Sequence, residues 1–456
     1  MPKALLRYDK GTILIEGLEH IPYANFDPRI NRLRAPALYY RNIVEYLNGS
    51  ELEFVDEVLD LIPSPKIQMA NHIASREYQR RAVNNWLGAG KRGCIIMPTG
   101  AGKTIVGLSA IEQVSSATII VVPTIDLIHQ WATAISTCLT DIKAGKLGGG
   151  EDDVEAITIS TYDSAYSRAP KLGNRFSLII FDEVHHLAAQ GYRYIAEQFA
   201  SPFRLGLTAT IEREDGEQAE LPRLVGGVVF DISPTKLAQD KHLAQYTIER
   251  RRIRMLPTEV ELYAESYKLY QSSLMKLGFR YGVSLQKLIM MSGRNRVARE
   301  ALLARNKALR IALSSKSKIE ELKTILEENR GLKTIIFTQH NSLVFEVSNR
   351  LLIPSITHKT TREERQEFLG GFKEGRYNAL VTSKVLDEGI DVPDAELGII
   401  LSGTGSAREF IQRLGRLLRP RPTSNKKARL IEISSADTRE IAMSAKRIKA
   451  IQSRSW

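Results

Sequence analysis

Residues 94–104 read CIIMPTGAGKT, a short β-branched run followed by a glycine-spaced loop that closes on a lysine and a threonine. The run Cys94 to Met97 predicts a buried strand, and the residues from Ile105 onward predict a helix. Between them, Thr99, Gly100, Ala101 and Gly102 let backbone N–H groups approach phosphate oxygens, while the helix N-terminus adds positive potential. Lys103 is placed to neutralise β/γ charge and the Thr104 hydroxyl to hold Mg²⁺. A strand before and a helix after make this a nucleotide phosphate loop and predict a parallel α/β sheet around it.

Outward from the loop, similar apolar runs recur with helical stretches between them. They are Thr118 to Val122, Ile157 to Ser160, Leu178 to Phe181 and Leu205 to Thr208, and then a second series, Thr334 to Phe337, Ala379 to Thr382, Leu397 to Leu401 and Arg429 to Ile433. Near-continuously apolar strands separated by helices form parallel sheets covered on both faces, so two doubly wound lobes are expected. Leu178 to Phe181 delivers Asp182-Glu183-Val184-His185 at its carboxyl end, where such a sheet presents ligand-binding groups. Asp182 suits the Mg²⁺ shell and Glu183 can polarise a water for in-line attack on a γ-phosphate. The second series has no GK[ST] and cannot hold its own triphosphate. It supplies Gln412-Arg413-Leu414-Gly415-Arg416-Leu417-Leu418-Arg419, where Arg416 and Arg419 share one face of a predicted helix. Such a pair can serve as arginine fingers across an interlobe cleft, or be an exposed basic helix. Gly148 to Gly150 reads as a turn, since no GK[ST] follows it.

The 456 residues are enough for about three domains, and 43% hydrophobic with 25% charged residues is ordinary globular composition. No apolar run is long enough for a membrane span, and Met1 to Lys10 has no hydrophobic segment of signal length, so a soluble, cytoplasmic protein is expected. Cys94 and Cys138 can build neither an iron–sulfur cluster nor a disulfide framework. The net charge of +12 is segregated: Lys268 to Arg310 holds ten basic residues against Glu300, and Pro420 to Trp456 holds nine against Glu432, Asp437 and Glu440. Segregated cations suit a polyanion, most often nucleic acid, although a solvated helix face reads the same way.

Taken together these motifs resemble a superfamily 2 helicase of the XPB type over nearly the whole chain. That family tolerates Met97 in place of the first loop glycine. The resemblance implies ATP as the nucleotide and two RecA-like lobes. Arg76-Glu77-Tyr78-Gln79 resembles the adenine-sensing Q motif, implying base contacts from Gln79 and Arg76. Pro123-Thr124 through Gln130-Trp131 resembles motif Ia, and Ser160-Thr161-Tyr162 the strand-end motif touching the nucleic-acid backbone, which implies contacts from Thr124, Thr161 and Tyr162. Thr208-Ala209-Thr210 resembles motif III, which with His185 and Gln412 couples ATP state to strand contacts. Phe337-Thr338-Gln339 resembles motif IV, Thr382-Ser383 through Gly389-Ile390-Asp391 motif V, and Gln412 to Arg419 motif VI. DNA contacts from Thr338, Gln339 and Thr382, and nucleotide contacts from Gly389 and Asp391, follow from it. Arg213-Glu214-Asp215 matches the family's RED motif in its expected place.

The implied organisation is a small α+β damage-recognition-like module at 1–72, with a strand at Thr12 to Gly17 and a helix around Ala35 to Asn48. A first RecA-like lobe follows at 73–243 and a second at 244–258 with 316–456. A helical thumb is inserted at 259–315, with Arg294, Arg296 and Arg299 as DNA contacts. The function implied is a 3′ to 5′ ATP-dependent DNA helicase or duplex translocase in nucleotide excision repair, archaeal in type and nucleoid-associated. Its implied partners are DNA and a repair nuclease, with no membrane and no iron–sulfur cluster. An ATP-gated DNA scaffold that recruits a nuclease, and an RNA helicase, are the alternatives.

Overall fold

Strands β1 (Ala4–Asp9) and β2 (Thr12–Glu16) form an antiparallel pair whose alternate residues Leu6, Ile13 and Ile15 are buried. With β3 (Asn25–Asp27), β4 (Arg32–Pro36) and β5 (Phe54–Glu57) they make a sheet ordered β3-β4-β2-β1-β5. The helix Tyr40–Gly49 closes its apolar face with Ile43 and Leu47. Ala35 and Pro36, expected in that helix, end β4 instead, because they pair with Ile13 and Thr12. The computed structural model describes residues 4–50, 52–70, 75–212, 216–240, 246–279, 283–383, 395–402 and 428–452. Two units divide at Ile232 and Ser233.

The first unit continues with β6 (Arg92–Ile96), β7 (Thr118–Val122), β8 (Ala144–Gly148), β9 (Glu151–Asp152), β10 (Ile157–Thr161), β11 (Leu178–Asp182), β12 (Phe203–Thr208) and β13 (Val228–Asp231). Their order is β13-β6-β12-β11-β7-β10-β8-β9, parallel except for the β8–β9 hairpin. Every residue of β7 and β11 is buried, as expected for central strands with helices on both faces. The N-terminal module shares core with this sheet: Leu38 packs into the large cluster around Ile179 and Phe181, and Ala200 into the module's cluster. Arg204 is fully buried, its guanidinium donating to the carbonyls of Ser201, Ala196, Leu224 and Phe199. It satisfies backbone acceptors near helix ends that would otherwise be orphaned, and burial lowers its pKa.

The second unit holds β14 (Tyr246–Ile253), β15 (Thr334–Phe337), β16 (Ser355–Ile356), β17 (Ala379–Thr382), β18 (Leu397–Ile400) and β19 (Ala428–Ser435), ordered β14-β19-β18-β15-β17-β16 and wholly parallel. Lys318, on the helix Lys316–Glu328, is fully buried against Glu440 and also donates to the carbonyls of Leu401 and Ile433. The pair ties that helix to the ends of β18 and β19. The helices Pro257–Lys276, Leu285–Ser292 and Arg296–Leu313 follow one another with no strand between them among the described residues. Ala298, Ala301, Ala304, Ala308 and Ala312 form a small-residue stripe along the third helix, in close contact with the first. Arg294, Arg296 and Arg299 are exposed.

Candidate nucleotide and nucleic-acid site

The carboxyl ends of three neighbouring strands build the nucleotide site. β12 lies between β6 and β11, with Thr208 opposite Ile96 and Leu207 opposite Asp182, so the loop after β6, the acidic pair after β11 and Thr208 converge. Gly100 and Gly102 take left-handed backbone angles, φ +82° and +80°, and the helix Lys103–Val114 starts at once after them. A Cβ at Gly102 would stand 2.4 Å from Gln79 Nε2. Gln79 is buried: its amide nitrogen donates to the Ala101 carbonyl at 3.0 Å and its oxygen accepts the Arg76 N–H at 2.8 Å. The Tyr78 hydroxyl donates to the same Ala101 carbonyl at 2.9 Å. Arg76, Tyr78 and Gln79 therefore hold the shape of the phosphate loop, beside Thr99 and ahead of Thr104.

Lys103 Nζ lies 3.8 Å from Glu183 Oε1 and 3.4 Å from the Met97 carbonyl. Glu183 itself has φ +49°, a left-handed conformation costly for a residue with a Cβ, at the point where a strained backbone often marks function. Asp182 accepts the Trp131 indole N–H at 2.9 Å on one carboxylate oxygen and the Glu183 N–H at 3.0 Å on the other. Burial, then the charge of Glu183, raises its pKa above the usual carboxylate range. One buried and one partly buried carboxylate against one lysine leave negative charge that a divalent cation would balance. Mg²⁺ commonly uses one or two carboxylates plus substrate phosphates, so Thr104 and Asp182 fit such a site.

Thr208 links the acidic pair to the next segment. Its Oγ1 stands 3.2 Å from Glu183 Oε2, 3.1 Å from His185 Nδ1 and 2.7 Å from the Thr210 carbonyl, and it accepts the Thr210 N–H at 3.2 Å. One hydroxyl proton can serve Glu183 or Thr210, not both, so this group changes partners if either end moves. Ala209 is buried between the two threonines.

Beside this site, Thr124 caps the helix Ile125–Cys138 and Thr161 caps the helix Tyr162–Leu172. Gly148 to Gly150 form the β8–β9 turn, all with positive φ. A Cβ at Gly148 would touch Thr161, Ile128 and Ser164, and one at Gly149 would touch Ile125, so the turn is lodged against both first helical turns. The Tyr162 side chain, expected on a nucleic-acid strand, is 2% exposed and its hydroxyl donates to the Asp182 carbonyl at 3.2 Å. In the second unit, Thr338 and Thr382 are buried with their hydroxyls on the His340 and Ser383 carbonyls, and the Gln339 N–H donates to Ser402 Oγ. Gly389, Asp391, Gln412, Arg416, Arg419 and the Arg213-Glu214-Asp215 segment lie outside the described residues. Sequence reasoning missed Trp131 as a partner of Asp182; its only signal was an aromatic placed on the buried face of the helix after Thr124.

Three family models match the chain: the Xeroderma pigmentosum group B helicase damage recognition domain over residues 6–58, the type III restriction enzyme res subunit over 72–213, and the ERCC3/RAD25/XPB C-terminal helicase over 299–454. The DNA 3'-5' translocase XPB2 of Sulfurisphaera tokodaii is 43% identical across 97% of this chain and 99% of its own length. The chain belongs to the XPB family. Other relatives in that family are longer. The DNA 3'-5' helicase XPB of Kineococcus radiotolerans is 30% identical over 80% of this chain, which spans 61% of it. The XPB/SSL2 subunit of general transcription and DNA repair factor IIH from Saccharomyces cerevisiae is 25% identical over 95%, spanning 49% of its length. Among solved structures, the Hef helicase domain of Pyrococcus furiosus covers 81% of the chain and is itself 97% covered, with a TM-score of 0.54 and 19% identity, a likeness of fold. Among the described residues, no helix is long and apolar enough to cross a membrane.

Proposed function

We propose that this XPB-family chain is an ATP-driven 3′ to 5′ DNA translocase and helicase acting in nucleotide excision repair. The observation that carries the reading is the convergence of Lys103, Asp182, Glu183 and Thr208 on three adjacent strand ends, in a chain so similar to a named translocase along its whole length. In this reading the loop amides and Lys103 hold the triphosphate, while Arg76 and Gln79 sense the base from behind the loop. Thr104 and Asp182 would hold Mg²⁺, which would supply charge neutralisation for the triphosphate. Glu183 orients a water and takes its proton as oxygen attacks the γ-phosphorus and the bond to ADP breaks. Arg416 and Arg419 meet the charge that develops in that transition state, with Gly389 and Asp391 completing the nucleotide contacts.

His185, Thr208, Ala209, Thr210 and Gln412 pass the nucleotide state to the strand contacts, through the hydroxyl exchange at Thr208. Thr124 and Thr161 offer their hydroxyl protons, and the Gly148–Gly150 turn its backbone N–H groups, to one strand, while Gln339 belongs to the second unit's share of it and Thr338 and Thr382, both buried, shape the segments behind that share. Arg294, Arg296 and Arg299 meet duplex phosphates. Arg213-Glu214-Asp215 acts at strand separation, and a repair nuclease is the partner that opened DNA would serve, at the nucleoid. A strand-displacement assay set beside a triplex-displacement assay tests the motor. Triplex displacement that requires ATP and Lys103 supports it, and DNA binding with neither activity would show an ATP-gated scaffold instead.

A further inference from the structure

Asp182 receives hydrogen bonds from two side chains, and both come from helices whose first turns the proposed function gives to strand contact. Trp131 Nε1 donates to its carboxylate at 2.9 Å and the Tyr162 hydroxyl to its carbonyl at 3.2 Å. Trp131 lies seven residues after the cap Thr124, two helical turns or about 10 Å along the axis, and Tyr162 directly follows the cap Thr161. The register places Thr161 opposite Val122 and Val121 opposite Phe181, so both caps and Asp182 stand at one end of the neighbouring strands β10, β7 and β11. Trp131 and Tyr162 are 1% and 2% exposed, so neither ring can touch DNA itself.

The Trp131 ring also has no slack. A Cβ at Gly107 of the phosphate-loop helix would stand 2.5 Å from its Cη2. The indole is thus wedged between that helix and the Asp182 carboxylate, and any displacement of the helix Ile125–Cys138 must be taken up by one or the other. The carboxylate is fixed by two donors, Trp131 on one oxygen and the Glu183 N–H on the other, so moving Trp131 turns it.

We propose that Trp131 and Tyr162 are positioning residues through which DNA engagement at Thr124 and Thr161 orients Asp182 toward the metal-bound nucleotide. The proposal rests on the reading that those two helix starts meet DNA. It gives DNA stimulation of hydrolysis a physical route: strand contact moves a cap, the helix carries the movement, and a buried donor transfers it to a ligand whose placement sets the rate.

The test has two parts. In the chain labelled with 5-fluorotryptophan, whose three tryptophans are Trp86, Trp131 and Trp456, added DNA should shift the Trp131 fluorine resonance, and Thr124→Ala should suppress that shift. Tyr162→Phe keeps the ring and deletes the donor, and Trp131→Phe deletes the donor while leaving a smaller aromatic ring in its place. The kcat at saturating DNA should fall by about tenfold in Trp131→Phe, with the KM for ATP and the Kd for DNA within about twofold of the parent. Combining Thr124→Ala with Trp131→Phe should lower the DNA-stimulated kcat no further than the larger single effect, because the two lie on one route. Full stimulation in Trp131→Phe with normal DNA affinity, multiplicative effects in the double variant, or a Trp131 resonance that ignores DNA would each overturn the relay and leave the strand-contact reading standing. DNA affinity untouched by Thr124→Ala would overturn the strand-contact reading and the relay with it.

Discussion

Glu183→Gln should separate nucleotide binding from hydrolysis. Glu183 sits 3.8 Å from Lys103, both side chains being largely buried, and at an effective protein dielectric that attraction is about 4 kcal/mol. Bound triphosphate must share Lys103 with this carboxylate and also face its negative charge. The neutral amide removes both handicaps while keeping the volume and an oxygen for Thr208. Recovery of about a third of the interaction, roughly 1.4 kcal/mol, would tighten Mg·ATP about tenfold. Loss of the base should meanwhile slow the chemical step by about 10² to 10⁴. Equilibrium binding of a labelled ATP and single-turnover hydrolysis measure the two effects separately. A variant that hydrolyses at the parent rate would show that Glu183 is not the base, and one that loses ATP affinity would show that it is not the rival of phosphate for Lys103.

Replacing Arg416 or Arg419 by Ala should lower kcat much more than it raises KM, because fingers meet charge developed in the transition state; a pure KM effect in steady-state kinetics would mark ground-state binding instead. Reversing Arg294, Arg296 and Arg299 together should flatten the dependence of log K on log salt for duplex DNA by about 0.9 for each phosphate no longer neutralised, and a parental slope would make them an ordinary exposed helix face. Lys318→Met should destabilise the second unit by about 3 to 5 kcal/mol in urea unfolding, since it strands a buried carboxylate, and adding Glu440→Gln should restore most of that. Equal losses in the single and double variants would place the cost in packing rather than in the ion pair.

The sheets were legible because their central strands announce themselves. CIIM, TIIVV, LIIF and LGLT in the first unit, and TIIF and ALVT in the second, are apolar on both faces and become buried parallel strands. Strands at or next to the sheet edges carry no such signal. β8, β9, β13 and β16 hold glycines, charges or only two residues, and their pairing depends on neighbours distant in sequence. The phosphate loop and acidic pair were equally readable, since their chemistry is local. What holds them is not: Trp131 meets Asp182 across 51 residues and Tyr162 meets it across 20. Arg204, a charge directly before LGLT in the sequence, is a fully buried donor to four carbonyls because the fold brings helix ends to it. Tyr162 read as a nucleic-acid contact because Ser160-Thr161-Tyr162 resembles the family's strand-end motif, and only packing against Phe181, His186 and Tyr192 turns its ring inward.

ATP hydrolysis measured side by side without nucleic acid and with duplex DNA, single-stranded DNA and RNA tests the central claim most directly. A DNA-driven motor built on Lys103, Asp182 and Glu183 should be stimulated mainly by DNA, and Lys103→Ala should abolish hydrolysis under every condition. Dominant stimulation by RNA, or hydrolysis indifferent to all three polymers, would contradict it.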